Sequence, residues 1–238
     1  MFRSLLRALL YAAAYIITKL FVSITVTGRE NVPEQGPLII ISNHFSVFEP
    51  PLTALNLPYI PVYMAAIEHQ SHWFVRLIVK AYDTIPVWRG QVDRKALQQA
   101  LQLLADGGIL GLMPEGGILP ELMEVIGTGQ QVHDVPFAET GRQSGQLIRA
   151  RPGVAYIAAR SAAPILPIAF LGTEKIAVNM TRWRRTKVQM IIGRPFGPLT
   201  LEADLRGAAR RQRLHELGDM MMHHLAALMP PENRGPYK

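Results

Sequence analysis

The sequence predicts an α/β fold: a mostly parallel mixed sheet covered by helices, preceded by an N-terminal amphipathic helix that associates with a membrane. Three observations carry this. Short continuous apolar runs, "LIIIS", "ILGLM" and "PILPIAFLG", alternate with longer stretches of helical period, the order expected of a sheet with crossover helices. Of 238 residues, 49% are hydrophobic and 18% charged, which suits one packed domain and excludes a disordered chain. The first 21 residues set leucines on one helical face with arginines mostly elsewhere.

The elements run in order along the chain. In residues 1–21, Leu5, Leu6, Leu9, Leu10, Ala13, Ile16, Ile17 and Leu20 share a face, with Arg3, Arg7 and Lys19 off it. The uncharged run Ala8–Thr18 falls short of the ~20 residues that span a bilayer. A cationic helix lying in the membrane interface fits this pattern; a core-packing helix is the plainer alternative. "FVSITVTG" is a strand, and "ENVPEQGP" a polar turn. "LIIIS" reads as a strand buried on both faces. "PLTALNL" is a short helix, "IPVYM" a strand, "HWFVRLIVKA" a helix and "TIPVW" a strand. "QVDRKALQQALQLLADGG" is a helix whose stripe is Val92, Leu97, Leu101 and Leu104, with Gly107 at its stop. "ILGLM" is the next strand. Residues 116–150 are irregular, and so long a segment is usually functional or mobile. "GVAYIAARSA" is a helix, "PILPIAFLG" and "VQMIIG" strands, and 201–228 a closing helix with Leu214, Leu217, Met221, Leu225 and Leu228 on one face.

The chain carries 25 Lys+Arg against 18 Asp+Glu, a formal net charge of +7. Such an excess suits an anionic partner, whether phosphate ligand, nucleic acid or acidic lipid. No nucleic-acid module is recognisable, so a nucleic-acid partner is not expected. With no cysteine there is neither a disulfide nor a thiolate metal site. His69 and His72, and the pair His223 and His224, have no evident third ligand, so no metal is expected.

Ligands gather at the C-terminal ends of strands in such sheets. Three ends carry polar residues: Asn43 and His44 after "LIIIS", Arg89 after "TIPVW", and Glu115 with Gly116 after "ILGLMP". Together they offer a base, a cation and a carboxylate. His44 is the natural general base, because imidazole titrates near neutrality. A carboxylate would fix its tautomer, and Glu49 serves if the chain turns between the two. Pro50 and Pro51 support that turn: proline is favoured at the first helical position, which puts Glu49 at a helix start. Taken singly, a His and a Glu five apart are more often structural, and Arg89 alone is more often a surface ion-pair partner; order and shared loops give the set its meaning.

The pattern "GRENVPEQGPLIIISNHFSVFEPPL … TIPVWRG … LMPEGG … APILPIAFLGTE … LMPPENRGPY" resembles the glycerolipid acyltransferases, that is, the 1-acylglycerol-3-phosphate acyltransferases and related lysophospholipid acyltransferases. The likeness runs from about Thr27 to the C-terminus, so that 22–238 forms the acyltransferase domain behind the 1–21 helix. The family's first block is N-H-x-x-x-x-D; Asn43 and His44 match, with Glu49 in place of Asp. The resemblance implies that His44 deprotonates a lipid hydroxyl, foremost that of 1-acylglycerol 3-phosphate. That hydroxyl attacks a thioester of coenzyme A or acyl carrier protein, with no further cofactor. It implies that Arg89, ending the second block, holds the substrate phosphate, and that Asn43, Glu115 and Gly116 take part in binding. It also implies a membrane-associated enzyme at the cytoplasmic face. "ILPIA" with Pro167 matches the fourth block.

The third block, F-P-E-G-T-R in the family, is altered here: Pro114, Glu115 and Gly116 remain, but Gly117 and Ile118 replace Thr-Arg. "ETGRQSGQL" resembles the continuation of that block in the family, as though residues 117–139 were an inserted loop, and this nominates Arg142 as a substitute phosphate ligand. Two other readings use the same residues: an acyltransferase for a different lipid acceptor, such as an amino-acid lipid or glycolipid precursor, and a catalytically inactive membrane-binding homologue. "TRWRRTK" around Trp183 reads equally as a lipid-facing basic patch and as a solvated loop.

Overall fold

The computed structural model describes residues 2–66, 81–88, 92–118, 142 and 144–238. The helix expected over "HWFVRLIVKA", most of the proposed 117–139 loop, Arg89, His69 and His72 lie outside the described residues.

The described chain begins with α1 (Phe2–Phe21) and continues through β1 (Val22–Thr27), β2 (Leu38–Ser42), α2 (Glu49–Asn56), β3 (Val62–Ala66), β4 (Ile85–Val87), α3 (Arg94–Ala105) and β5 (Ile109–Leu112). Then come α4 (Pro152–Ser161), β6 (Ile165–Leu171), α5 (Ile176–Thr181), β7 (Thr186–Ile192) and α6 (Gly207–Ala226). Seven strands form one sheet in the order β1-β7-β6-β2-β5-β3-β4. Every neighbouring pair is parallel except β6 with β7. The sheet is therefore mixed and mostly parallel, and β1 and β7 run against the other five strands.

β2 shows why a continuous apolar run belongs at the centre. All five of its residues are buried, and its side chains alternate between two cores. Ile39 and Ile41 pack with α3, α4 and α6 through Ala100, Leu104, Ala155, Ile157, Leu217 and Met221. Leu38 and Ile40 pack on the opposite face with Leu52 of α2, Ile176 of α5, Phe170 and Met190. A strand covered on both faces favours apolar residues along its length, and the chain's polar groups begin at its last residue, Ser42.

α3 begins later than its apolar stripe suggested. Asp93 caps it, accepting from the Ala96 amide at 3.0 Å, so Val92 falls outside the helix and is 78% exposed. The buried face is Ala96, Ala100 and Leu104, while Leu97 and Leu101 pack partly against it. Gly107 takes the positive φ of 78° that ends the helix, as expected. α6 starts at Gly207 rather than 201, and Leu217, Met221 and Leu225 are buried as the periodicity required.

α1 is longer than its uncharged run implied. Twenty residues at 1.5 Å rise make about 30 Å, and Ser4–Phe21 is long and apolar enough to cross a membrane by length and composition. Its leucine face is divided in two. Leu6, Arg7, Leu10, Ala14, Thr18 and Phe21 are half-buried, whereas Leu5, Leu9, Ile16 and Leu20 are exposed. Arg7 turns toward the domain and donates to the Ala81 carbonyl and Asp83.

Candidate active site

β2 and β5 are adjacent and parallel, with Ile41 opposite Leu112, so His44 and Glu115 leave the sheet at one edge. β4 is parallel as well but lies three strand spacings from β2, about 14 Å away. Trp88, at its exit, is exposed.

After Ser42 the chain turns sharply and starts α2 at Glu49, with Pro50 and Pro51 in its first turn. That turn folds Glu49 back under His44. Glu49 Oε2 lies 3.3 Å from His44 Nδ1. The carboxylate is fully buried and closely held: the Ser46 amide donates to Oε1 and Oε2 at 2.9 and 3.1 Å, the Ser46 hydroxyl to Oε1 at 3.1 Å, and the Thr173 hydroxyl to Oε1 at 2.6 Å. His44 itself is 19% exposed, and its Nε2 has no protein partner among the described residues. One ring nitrogen is thus committed to a buried acid while the other is open to a reactant.

The third strand end supports the first. Met113 to Gly116 form a tight turn, closed by the Gly116 amide donating to the Met113 carbonyl at 2.9 Å; Gly116 takes φ 77°, a conformation that suits glycine. Glu115 sits in this turn with no exposure. Its Oε2 accepts from the His44 backbone amide at 2.6 Å, and its Oε1 from the Ile148 amide at 2.9 Å and from Arg142. Burial pushes the Glu115 carboxyl up, and Arg142 with the Ile148 and His44 amides pulls it back. Glu115 therefore holds the backbone of His44 from a fully buried position.

Two residues expected to bind substrate are occupied otherwise. Asn43 is fully buried; its Nδ2 donates to the Phe170 carbonyl at 2.9 Å, and its Oδ1 accepts from the Phe170 amide at 2.7 Å. It extends the β2–β6 pairing by one side chain. Arg142 is only 2% exposed. Its guanidinium donates to Glu115, to the Ile118 carbonyl at 2.7 Å, the Gln146 carbonyl at 2.9 Å and the Gly117 carbonyl at 2.8 Å. It also lies 5.4 Å from the centre of the Phe45 ring. With four of its five N–H groups taken and almost no exposure, this fork is poorly placed to hold a phosphate. Arg142 does rejoin the third block, as its counter-ion.

Sequence reasoning missed Thr173 and Ser46. Ser46 lies between His44 and Glu49, where a short hydroxyl residue in a tight turn was a legible signal. Thr173 follows β6 in "FLGTE", and its only signal was its place at another strand end. His223 and His224 have structural partners: His224 stacks on Phe196 at 3.7 Å and His223 meets Tyr237 edge-on. Among the described residues no group of three or more His, Cys, Asp or Glu could hold a metal.

A family model described as Acyltransferase matches residues 23–171. The chain belongs to that family. It is 23% identical over 217 residues to a 1-acyl-sn-glycerol-3-phosphate acyltransferase of Bacillus subtilis, covering 91% of this chain and 93% of that one. It is 29% identical over 185 residues to uncharacterised proteins of Mycobacterium tuberculosis and Mycobacterium bovis, covering 74% of this chain but only 44% of their length. The crystal structure of the 1-acyl-sn-glycerophosphate acyltransferase from Thermotoga maritima shares the fold, with a TM-score of 0.59 at 21% identity over 91% of this chain and 78% of that one. In this chain the matched region runs from β1 to the end of β6 and contains His44, Glu49 and Glu115.

Proposed function

We propose that this acyltransferase moves an acyl chain from a thioester of coenzyme A or acyl carrier protein to a lysophospholipid hydroxyl, with 1-acylglycerol 3-phosphate as acceptor. The contact between His44 Nδ1 and Glu49, with Nε2 left open, is the observation that carries this reading. Glu49 fixes the tautomer that bears its proton on Nδ1, so the Nε2 lone pair faces the acceptor. Nε2 takes the hydroxyl proton as the oxygen attacks the thioester carbonyl. The carbon–sulfur bond then breaks, and the thiolate leaves with the proton returned by the imidazolium. No covalent acyl-enzyme forms. Arg89 is the proposed clamp on the acceptor phosphate, and the turn at Glu115 and Gly116 holds the base in place.

In the same reading α1 lies in the interface at the cytoplasmic face, with Leu5, Leu9, Ile16 and Leu20 toward lipid. The half-buried positions from Leu6 to Phe21 keep the helix against the domain along its length, which favours lying over crossing.

The test is a matrix of thioester donors against lipid acceptors, run with wild type and His44→Ala side by side. Wild-type transfer to 1-acylglycerol 3-phosphate, lost in the variant, is the expected result; equal transfer by both removes the base. A second reading, transfer to another lipid acceptor, draws on Arg142, whose burial leaves the altered third block without a cation for phosphate. The acceptor arm of the matrix separates the two.

A further inference from the structure

The loop between α5 and β7 is built around an outward tryptophan. Trp183 is 85% exposed and has φ 52°, a conformation a bulky residue seldom takes. The loop is tightly closed. The Trp183 amide donates to the Met180 carbonyl at 3.0 Å and the Arg184 amide to the Asn179 carbonyl at 2.9 Å, and the Asn179 side chain donates to the Thr186 hydroxyl at 2.9 Å. An indole held rigidly in solvent does not serve the core.

Its surroundings are cationic and apolar together. Arg182, Arg184 and Lys187 are exposed and make no ion pair among the described residues, and no acidic residue occurs between Lys175 and Glu202. Arg185 donates to the Val22 carbonyl at 2.8 Å, tying the loop to the junction of α1 and β1. The Trp183 ring lies 5.7 Å from that of Phe21, the last residue of α1. The exposed indole therefore sits beside the end of α1, the helix whose outer face exposes Leu5, Leu9, Ile16 and Leu20.

The loop is also placed at the site's edge of the sheet. β7 runs antiparallel to β6, with Leu171 opposite Gln189, so β7 begins at the edge where β6 and β2 end. Thr173, which holds Glu49, is separated from the loop only by a short turn and the six residues of α5.

We propose that Arg182, Trp183 and Arg184, with Lys187, form a docking element for an anionic phospholipid surface, distinct in sequence from α1, which sets the active-site edge against the membrane. Tryptophan favours the headgroup level, and each cation near an acidic leaflet adds about 1 kcal/mol, roughly fivefold in partitioning. An exposed aromatic with flanking cations, beside a helix that exposes an apolar stripe, matches a lipid interface better than an acidic protein face. The inference rests on the reading that the chain works at a membrane, not on the identity of its acceptor.

The experiment measures binding of the full chain to vesicles of phosphatidylcholine alone and of phosphatidylcholine mixed with phosphatidylglycerol. The variants are Trp183→Ala, Arg182→Glu with Arg184→Glu, and, as a charge control, Arg160→Glu on α4. The double reversal is expected to weaken binding to the mixed vesicles at least about tenfold, with the loss largest at low salt. Trp183→Ala weakens binding to both compositions, and Arg160→Glu changes neither. Thermal melts of all variants match wild type, because every altered side chain is exposed. Unchanged vesicle binding in the loop variants, or an equal loss in Arg160→Glu, overturns the proposal while leaving α1 as the contact. So does a loss confined to transfer from acyl carrier protein with vesicle binding intact. Failure of wild type to bind either vesicle overturns the docking element and the membrane reading of α1 together.

Discussion

His44 and Glu49 meet through Nδ1 and Oε2 at 3.3 Å, and the carboxylate is buried while the imidazole keeps an open edge. Five residues of chain bring them together because two prolines start α2 at once. Replacing His44 with Ala removes the proposed base and should lower kcat by about 10²–10⁴. At position 49 the expected order is Glu above Asp above Gln. Asp draws the carboxylate back by about one carbon–carbon bond, ~1.5 Å, away from Ser46 and Thr173. Gln brings an amide donor against those hydroxyl and amide donors and no longer stabilises the imidazolium, costing about a hundredfold or more. Steady-state rates of the three proteins at saturating acceptor check this. If Gln behaves like Glu, the orienting role is wrong.

In the proposed mechanism Thr173 acts through Glu49, to which it donates at 2.6 Å. Thr173→Val keeps the volume but leaves that oxygen without its shortest bond. The carboxylate then loses its fixed direction, and kcat falls about tenfold with little change in the acceptor KM. Thr173→Ser restores the donor and should recover most of the rate. A raised acceptor KM with kcat intact would assign Thr173 to the acceptor instead.

How far these contacts were legible depends on their reach along the chain. The buried β2, the turn into α2 and the His44–Glu49 pair are local, and a five-residue run followed by two prolines announced them. The third strand end, Glu115 and Gly116, lies beside the first, as alternating elements and neighbouring parallel strands imply. Thr173 was not foreseen because β6 lies next to β2 in space but far from it in sequence. The pairing of β1 with β7, and the reversal of both against the sheet, has the same origin. Asn43 suggested a ligand because it is a polar residue beside a proposed base; its bonds to Phe170, which continue the β2–β6 pairing, depend on a strand distant in sequence.

Asn43→Ala separates these two roles. Removing the amide leaves the Phe170 amide and carbonyl without their buried partners, at a cost of about 3 kcal/mol for the pair. The expected result is a lower thermal midpoint. Any protein that remains folded keeps the wild-type acceptor KM. A raised KM at unchanged stability would return Asn43 to the substrate.

Arg142 and Glu115 form an ion pair with 2% and 0% of their side chains exposed, and its sensitivity to mutation should be asymmetric. Arg142→Met strands the Glu115 carboxyl in the core, and breaking a buried pair from one side costs about 3–5 kcal/mol. Glu115→Gln combined with Arg142→Met removes both charges, and stability should recover in part, because neutral buried groups carry a smaller desolvation cost. The single carboxamide oxygen that Glu115→Gln introduces can accept from either the His44 or the Ile148 backbone amide but not both, because the two donate to different oxygens of Glu115, so the double variant should retain part of the transfer that the Arg142 single variant loses through misfolding. Chemical denaturation of wild type, both single variants and the double variant gives the coupling energy directly. A phosphate-binding Arg142 would behave differently: the double variant would regain stability yet keep a raised KM for phosphorylated acceptors. The burial of the guanidinium and its bonds to Glu115 and three carbonyls predict that KM stays near the wild-type value.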